Sequence, residues 1–281
     1  MGKSTLLFIG IFVILNSCTK KIEQPCDNHF IKGNNYLLNG DFDNSITEFN
    51  LAIKEDSSNA NAYYGLGSLY SILGKNEVAI DYYTKSIKVK PDFTLAYFSR
   101  GASEKSLGHN NLALFDMKKS IELKPDFFYA IINLASIEAE LGNYQTAIDE
   151  MDKAIELQPD YYLAYYYRGV YEYRLDNKIK AVADFTTVIE LNDQCLDAYY
   201  YRGIFYGEAK DYRRAIADLT RVIELKEDYL KAYLYRGTYQ YQLFQDEEAC
   251  KDFRRAKELG DSTAQSYLDT YCKSNNSKRK S

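Results

Sequence analysis

Tyr165-Tyr166-Tyr167-Arg168-Gly169 returns as Tyr199-Tyr200-Tyr201-Arg202-Gly203, and again as Tyr233-Leu234-Tyr235-Arg236-Gly237. Each step is 34 residues, and two steps before the first stands Tyr97-Phe98-Ser99-Arg100-Gly101. Counting slots 1 to 34 from Cys26 divides residues 26–263 into seven repeats without insertion: 26–59, 60–93, 94–127, 128–161, 162–195, 196–229 and 230–263. A fixed period of this length marks an array of supersecondary units, each too small to bury its apolar face alone.

The columns of this register say what each unit is. Slot 8 is small (Gly33, Gly67, Gly101, Ala135, Gly169, Gly203, Gly237), and slot 20 is Ser45 followed by six alanines from Ala79 to Ala249. Slot 24 is large and mostly apolar, from Phe49 to Phe253, and slot 28 is isoleucine from Ile53 to Ile223. Slots 4, 8 and 11 follow helical spacing, as do 20, 24 and 27, so each unit is two helices. Turns fall near slots 15 to 17, as in Gly74-Lys75-Asn76, and Pro91, Pro125 and Pro159 end second helices at slot 32. A mid-helix glycine costs roughly 1 kcal/mol against alanine. Its recurrence at slot 8 predicts close packing of the two helices.

This pattern resembles the tetratricopeptide repeat, with tyrosine at slot 4 where the family commonly has tryptophan. The resemblance covers residues 26–263 and implies an all-α, right-handed superhelical solenoid of seven helix pairs. Residues 264–273 then read as a capping helix, with Tyr267, Leu268 and Tyr271 covering the last repeat, as the end of such an array requires. Residues 274–281 form a basic tail, expected to be disordered.

Slot 7 is Arg100, Arg168, Arg202 and Arg236 in four repeats, and slot 23 of the same repeats is Asp116, Asp184, Asp218 and Asp252. The first repeat has Lys32 with Glu48, whereas Leu66 and Leu134 at slot 7 go with Tyr82 and Glu150. Opposite charge at the two slots predicts a ladder of ion pairs between the helices, each contributing about 0–1 kcal/mol where exposed.

The opening, MGKSTLLFIGIFVILNSC, has other candidate readings. A phosphate loop needs a glycine five residues ahead of Gly2-Lys3-Ser4, and a myristoylation signal needs Ser or Thr where Leu6 stands. The apolar run Leu6 to Leu15 is about half the roughly 20 residues of a membrane-spanning helix. A basic start, a short apolar middle and a small-residue end read as a signal peptide over residues 1–17. Leu15-Asn16-Ser17-Cys18 resembles a bacterial lipobox, although Asn16 stands where alanine or serine is usual. The resemblance implies cleavage before Cys18, a lipid on that cysteine, and anchoring in the bacterial cell envelope, expected at the outer membrane. Residues 18–25 become the lipidated N-terminus and a short linker reaching about 25 Å.

The net charge is −5, and four positive side chains (Lys273, Lys278, Arg279, Lys280) lie in the final stretch, so the body is more acidic than the total. That argues against a nucleic-acid partner. Cys26, Cys195, Cys250 and Cys272 remain beside Cys18; Cys250 and Cys272 form the best-placed pair, with buried free thiols the competing reading. No Cys-x-x-Cys spacing supports a metal site. His29 and His109 have no nucleophile or acid at a telling spacing, and no insertion carries a site, so neither catalysis nor a cofactor is expected.

In the resembled family the first helices line a concave groove. Slot 5 places Phe30, Tyr64, Phe98, Tyr166 and Tyr200 there, and slot 12 adds Tyr173 and Tyr241. Rigid amphipathic rings suit a partner protein or extended peptide. The carboxylate clamp of chaperone-binding members is missing: its slots hold Phe30, Asn34, Leu95 and Ser99. The expected function is an envelope scaffold for protein–protein interaction. The alternative is a glycan-binding lipoprotein, since aromatic rings also stack on sugars, although sugar-capturing members carry insertions that this chain lacks. A cytosolic scaffold with a misread N-terminus ranks third.

Overall fold

The structure, a computed structural model, describes residues 28–272. The signal peptide, Cys18, the linker, Cys26 and the tail 274–281 lie outside the described residues. The chain falls into two compact halves, Met1–Glu150 and Met151–Ser281. All regular structure among the described residues is helical.

In the first half, α1 (Asn28–Leu38) pairs with α2 (Phe42–Glu55), α3 (Ala60–Ile72) with α4 (Asn76–Val89), and α5 (Thr94–Ser106) with α6 (Asn110–Leu123). Then come α7 (Phe128–Glu140) and α8 (Tyr144–Leu157), within which the division falls. In the second half, α9 (Tyr162–Arg174) pairs with α10 (Lys178–Leu191), α11 (Leu196–Glu208) with α12 (Tyr212–Leu225), and α13 (Leu230–Gln242) with α14 (Asp246–Glu258). Consecutive helix pairs, each beginning at slot 1 or 3 of its repeat, are the architecture that the period predicts.

Packing explains the columns. A Cβ added to Gly67 at slot 8 would lie 2.6 Å from the Tyr83 ring at slot 24, so the glycine makes room for an aromatic knob. Slot 20 is fully buried at Ser45, Ala79 and Ala113 in the first half, and at Ala181, Ala215 and Ala249 in the second. In the third, fourth and fifth repeats a buried glutamate at slot 11 closes the turn between the paired helices. Asn143 Nδ2 donates to Glu138 at 2.8 Å, and Asn177 Nδ2 donates to Glu172 at 2.7 Å. His109 Nδ1 meets Glu104 at 2.7 Å in the same way. Each glutamate thus holds the first residue ahead of the second helix.

The C-terminal cover departs from the regular helix expected over 264–273. It is a four-residue helix, α15 (Ala264–Tyr267), which widens into a π-turn at Leu268–Cys272. Tyr267 and Tyr271 lie 5.2 and 6.0 Å from the Phe253 ring. A disulfide joins Cys250 of α14 to Cys272, with the Cα atoms 5.9 Å apart. The oxidised pair, not the free thiols, is the state the structure holds.

Slot 15 ends each first helix in the left-handed region. Gly40, Gly74, Gly108 and Gly142 take it in the first half, but Asp176, Lys210 and Phe244 take it at φ near +61° in the second. A side chain there costs about 1–2 kcal/mol, part of which glycine returns as lost chain entropy. Lys210→Gly should therefore raise stability by roughly 0.5–1 kcal/mol in urea denaturation, and Lys210→Val should lower it. The double variant Cys250→Ser/Cys272→Ser should lose about 2–4 kcal/mol, read by the same titration.

Candidate partner-binding face

The slot-7 arginines fix the first helices. Arg100 donates from Nε and Nη2 to the two Asp116 oxygens at 2.8 and 2.7 Å. Arg202 makes the same fork to Asp218 at 2.8 Å twice, and Arg236 to Asp252 at 2.7 and 2.8 Å. Arg168 forks to Asp184 likewise. Nη1 of each adds a bond that the charge pattern of slots 7 and 23 does not announce, reaching slot 25 of the preceding repeat. The acceptors are Thr84, Thr186 and Thr220 at 3.1, 3.2 and 3.1 Å, and Asp152 at 2.6 Å for Arg168. The tyrosines at slot 4 (Tyr97, Tyr165, Tyr199, Tyr233) place their ring centroids 5.4–5.8 Å from the guanidinium carbons.

These are not the exposed pairs assumed from sequence. Asp116 and Asp184 are 2% and 4% exposed. Burial pushes both carboxyls above the usual carboxylate range against the pull of the guanidinium, while the bonded carboxylate raises Arg100 and Arg168. Desolvation offsets much of the attraction, so the pair's weight shows when one member is removed.

Much of the expected slot-5 stripe is core, which corrects the groove assignment for Phe30, Tyr64 and Phe98. All three are buried. Phe30 packs on Phe49 at 6.0 Å, Tyr64 on Phe93 at 5.2 Å and Phe98 on Phe127 at 5.0 Å. Phe93 and Phe127 both stand at slot 34, so the last ring of a repeat lids its own slot-5 ring. In the fifth repeat slot 34 is Cys195, too small to cover Tyr166, which stays half-buried. In the sixth it is Tyr229, 5.3 Å from the half-buried Tyr200. Of the slot-12 rings, Tyr241 packs on Tyr271 of the C-terminal cover at 4.3 Å, whereas Tyr173 lies on Phe205 at 4.7 Å and stays 38% exposed.

What remains open is a tyrosine face in the second half. Tyr166 and Tyr200 are joined by slot 6, which the groove assignment had left out: Tyr167, Tyr201 and Tyr235. Tyr167 and Tyr235 are 40% and 37% exposed. Tyr166 meets Tyr167 at 5.4 Å, and Tyr200 meets Tyr201 and Tyr235 at 5.5 and 6.2 Å, all edge-on. Buried Phe185 backs both Tyr166 and Tyr201, at 5.9 and 5.6 Å. The signal for slot 6 was present, since its tyrosine is the third letter of the recurring motif. Burial raises the phenols of Tyr166 and Tyr200, so both remain neutral hydrogen-bonding groups.

Elsewhere, His29 is held by Glu48, whose hydrogen bond raises the imidazole, and His109 by Glu104. Among the described residues no group of three or more His, Cys, Asp or Glu is placed to hold a metal ion, and no helix is long and apolar enough to cross a membrane.

Tetratricopeptide-repeat family models match residues 33–71, 60–93, 132–194 and 197–225. Among curated proteins, none matches the chain. The C-terminal part of a TPR repeat-containing protein from Cytophaga hutchinsonii superposes with TM-score 0.74 at 18% identity, covering 85% of this chain and 99% of that one. MamA gives 0.57 at 26% identity over 61% and 94%. YrrB, described as a TPR protein with an unusual peptide-binding site, gives 0.60 at 21% identity over 66% and 95%.

Arg202→Ala should cost about 3–5 kcal/mol, because it strands the Asp218 carboxylate in the core. Arg202→Met combined with Asp218→Leu should recover most of that loss. Urea midpoints of the three proteins decide between these expectations and a pair of surface value only.

Proposed function

We propose that this tetratricopeptide-repeat protein is a non-enzymatic scaffold of the bacterial cell envelope, held to the membrane through lipidated Cys18, that takes an extended segment of a partner protein against its tyrosine face. The observation carrying this reading is the set of half-open rings Tyr166, Tyr167, Tyr200, Tyr201 and Tyr235 on consecutive first helices. Rings on a rigid helix bury large area at small entropic cost, and their hydroxyls accept and donate along an extended backbone. The peptide-binding site named for YrrB, a protein of the same fold, supports the class of ligand. The forks beneath the face give it the rigidity that a preformed binding surface needs.

The test is photo-crosslinking in the native host, with the probe replacing Tyr167 or Tyr201 and membranes separated first. A discrete protein adduct is expected at both positions. The same probe at Phe115, 62% exposed on α6, should give none. Adducts made only of glycosidase-sensitive material would replace this reading with glycan binding. Cys18→Ser should move the protein out of the membrane fraction; retention there would overturn the anchor.

A further inference from the structure

The tyrosine face carries one carboxylate with no cation to match it. Asp197 lies in the first turn of α11, three and four residues ahead of Tyr200 and Tyr201, and so on their side of the helix. Its side chain is exposed. Its charge adds to the burial that raises the phenols of Tyr166 on α9 and of Tyr229, the residue ahead of α13. Tyr200 and Tyr201 share its side of α11, and Tyr229, whose ring lies 5.3 Å from Tyr200, carries Lys226 Nζ at 5.8 Å on its face.

Several carboxylates of the second half have cations of their own. Asp184 takes Arg168, Glu172 takes Lys180, and Glu208 takes Lys178. Among the described residues Asp197 makes no ion pair, and Lys231, at the same slot of the next repeat, leaves it alone. Ring faces carry negative potential and attract a cation, more strongly when it is desolvated. A carboxylate among them adds Coulombic attraction and a hydrogen-bond acceptor. The net charge of −5 acts in the same direction on an approaching partner.

We propose that the segment bound by this face is cationic where it crosses α11: an arginine or lysine side chain lies against the tyrosines with its charged end on Asp197. Arginine fits better, because a planar guanidinium both stacks on a ring and forks to a carboxylate. The inference rests on the reading of the face as a protein-binding surface. An acidic segment meets repulsion here, and a neutral one gains nothing from Asp197.

The experiment screens the full chain in detergent against a random linear peptide library displayed on phage. Wild-type protein should enrich peptides with arginine or lysine at one shared position. In a synthetic copy of the best peptide, exchanging that arginine for neutral citrulline should weaken binding about tenfold, and Asp197→Asn should do the same to the original. Asp197→Lys should turn the enriched position acidic; Asp197 is exposed and unpaired, so thermal melts should show all variants folded. Enriched peptides without a shared basic position, or affinities indifferent to Asp197→Asn, would overturn the cationic segment and leave the scaffold standing. Failure to enrich any peptide over a Tyr166→Ala/Tyr200→Ala control would remove both.

Discussion

A single guanidinium that joins three consecutive helices is the constraint on which the second half depends. Arg202 sits on α11, forks to Asp218 on α12, and reaches back to Thr186 on α10. Arg236 repeats the arrangement one period later, on Asp252 and Thr220. Repeat arrays are stabilised by terms within each unit and between neighbours. Here one side chain supplies both, so the spacing between units is set by the same bonds that hold a unit together. A lysine in its place would lose the fork and the third donor with it.

The same constraint aims the tyrosines. Successive residues of a helix diverge by about 100°. With slot 7 drawn toward the second helix and slot 8 pressed on the slot-24 knob, slot 6 turns about 160° away from slot 8, while slot 5, one turn ahead of slot 8, flanks the same knob. Tyr201 therefore points away from Gly203, onto Phe185 of the preceding repeat, and Tyr200 stays half-buried at the edge of the packed face. The recurring Tyr-Tyr-Tyr-Arg-Gly is a compact statement of that division: three rings, one clamp, one gap.

Much of this was legible in the chain itself. Seven in-register repeats set the helix pairs, and opposite charge at slots 7 and 23 pointed to Arg168 with Asp184. Burial was harder to read. Tyr64 and Tyr166 share slot 5 and differ in what packs on them: Tyr64 has the Phe93 ring of slot 34 and the Ser99 hydroxyl, whereas slot 34 of the fifth repeat is Cys195. That residue is 29 positions away in sequence, beyond the reach of any helical period. The turn near slots 15 to 17 was legible in Gly74-Lys75-Asn76, whereas Asp176, Lys210 and Phe244 take the same left-handed φ with no glycine to mark it.

The two halves use one framework for different ends. In the first, slot 6 is Ile31, Gly65, Ser99 and Asn133, and the slot-5 rings of Phe30, Tyr64 and Phe98 close into the core. In the second, slot 6 is tyrosine three times and the slot-5 lid is weakened at Cys195. Neither change touches slots 7, 8, 20 or 24, which carry the packing. The rings at slots 5 and 6 can thus vary within a repeat of constant length, because the fork and the glycine gap that hold the helices occupy slots 7 and 8. A carboxylate such as Asp197 stands exposed beside these rings without threatening the fold, since solvent bears its charge.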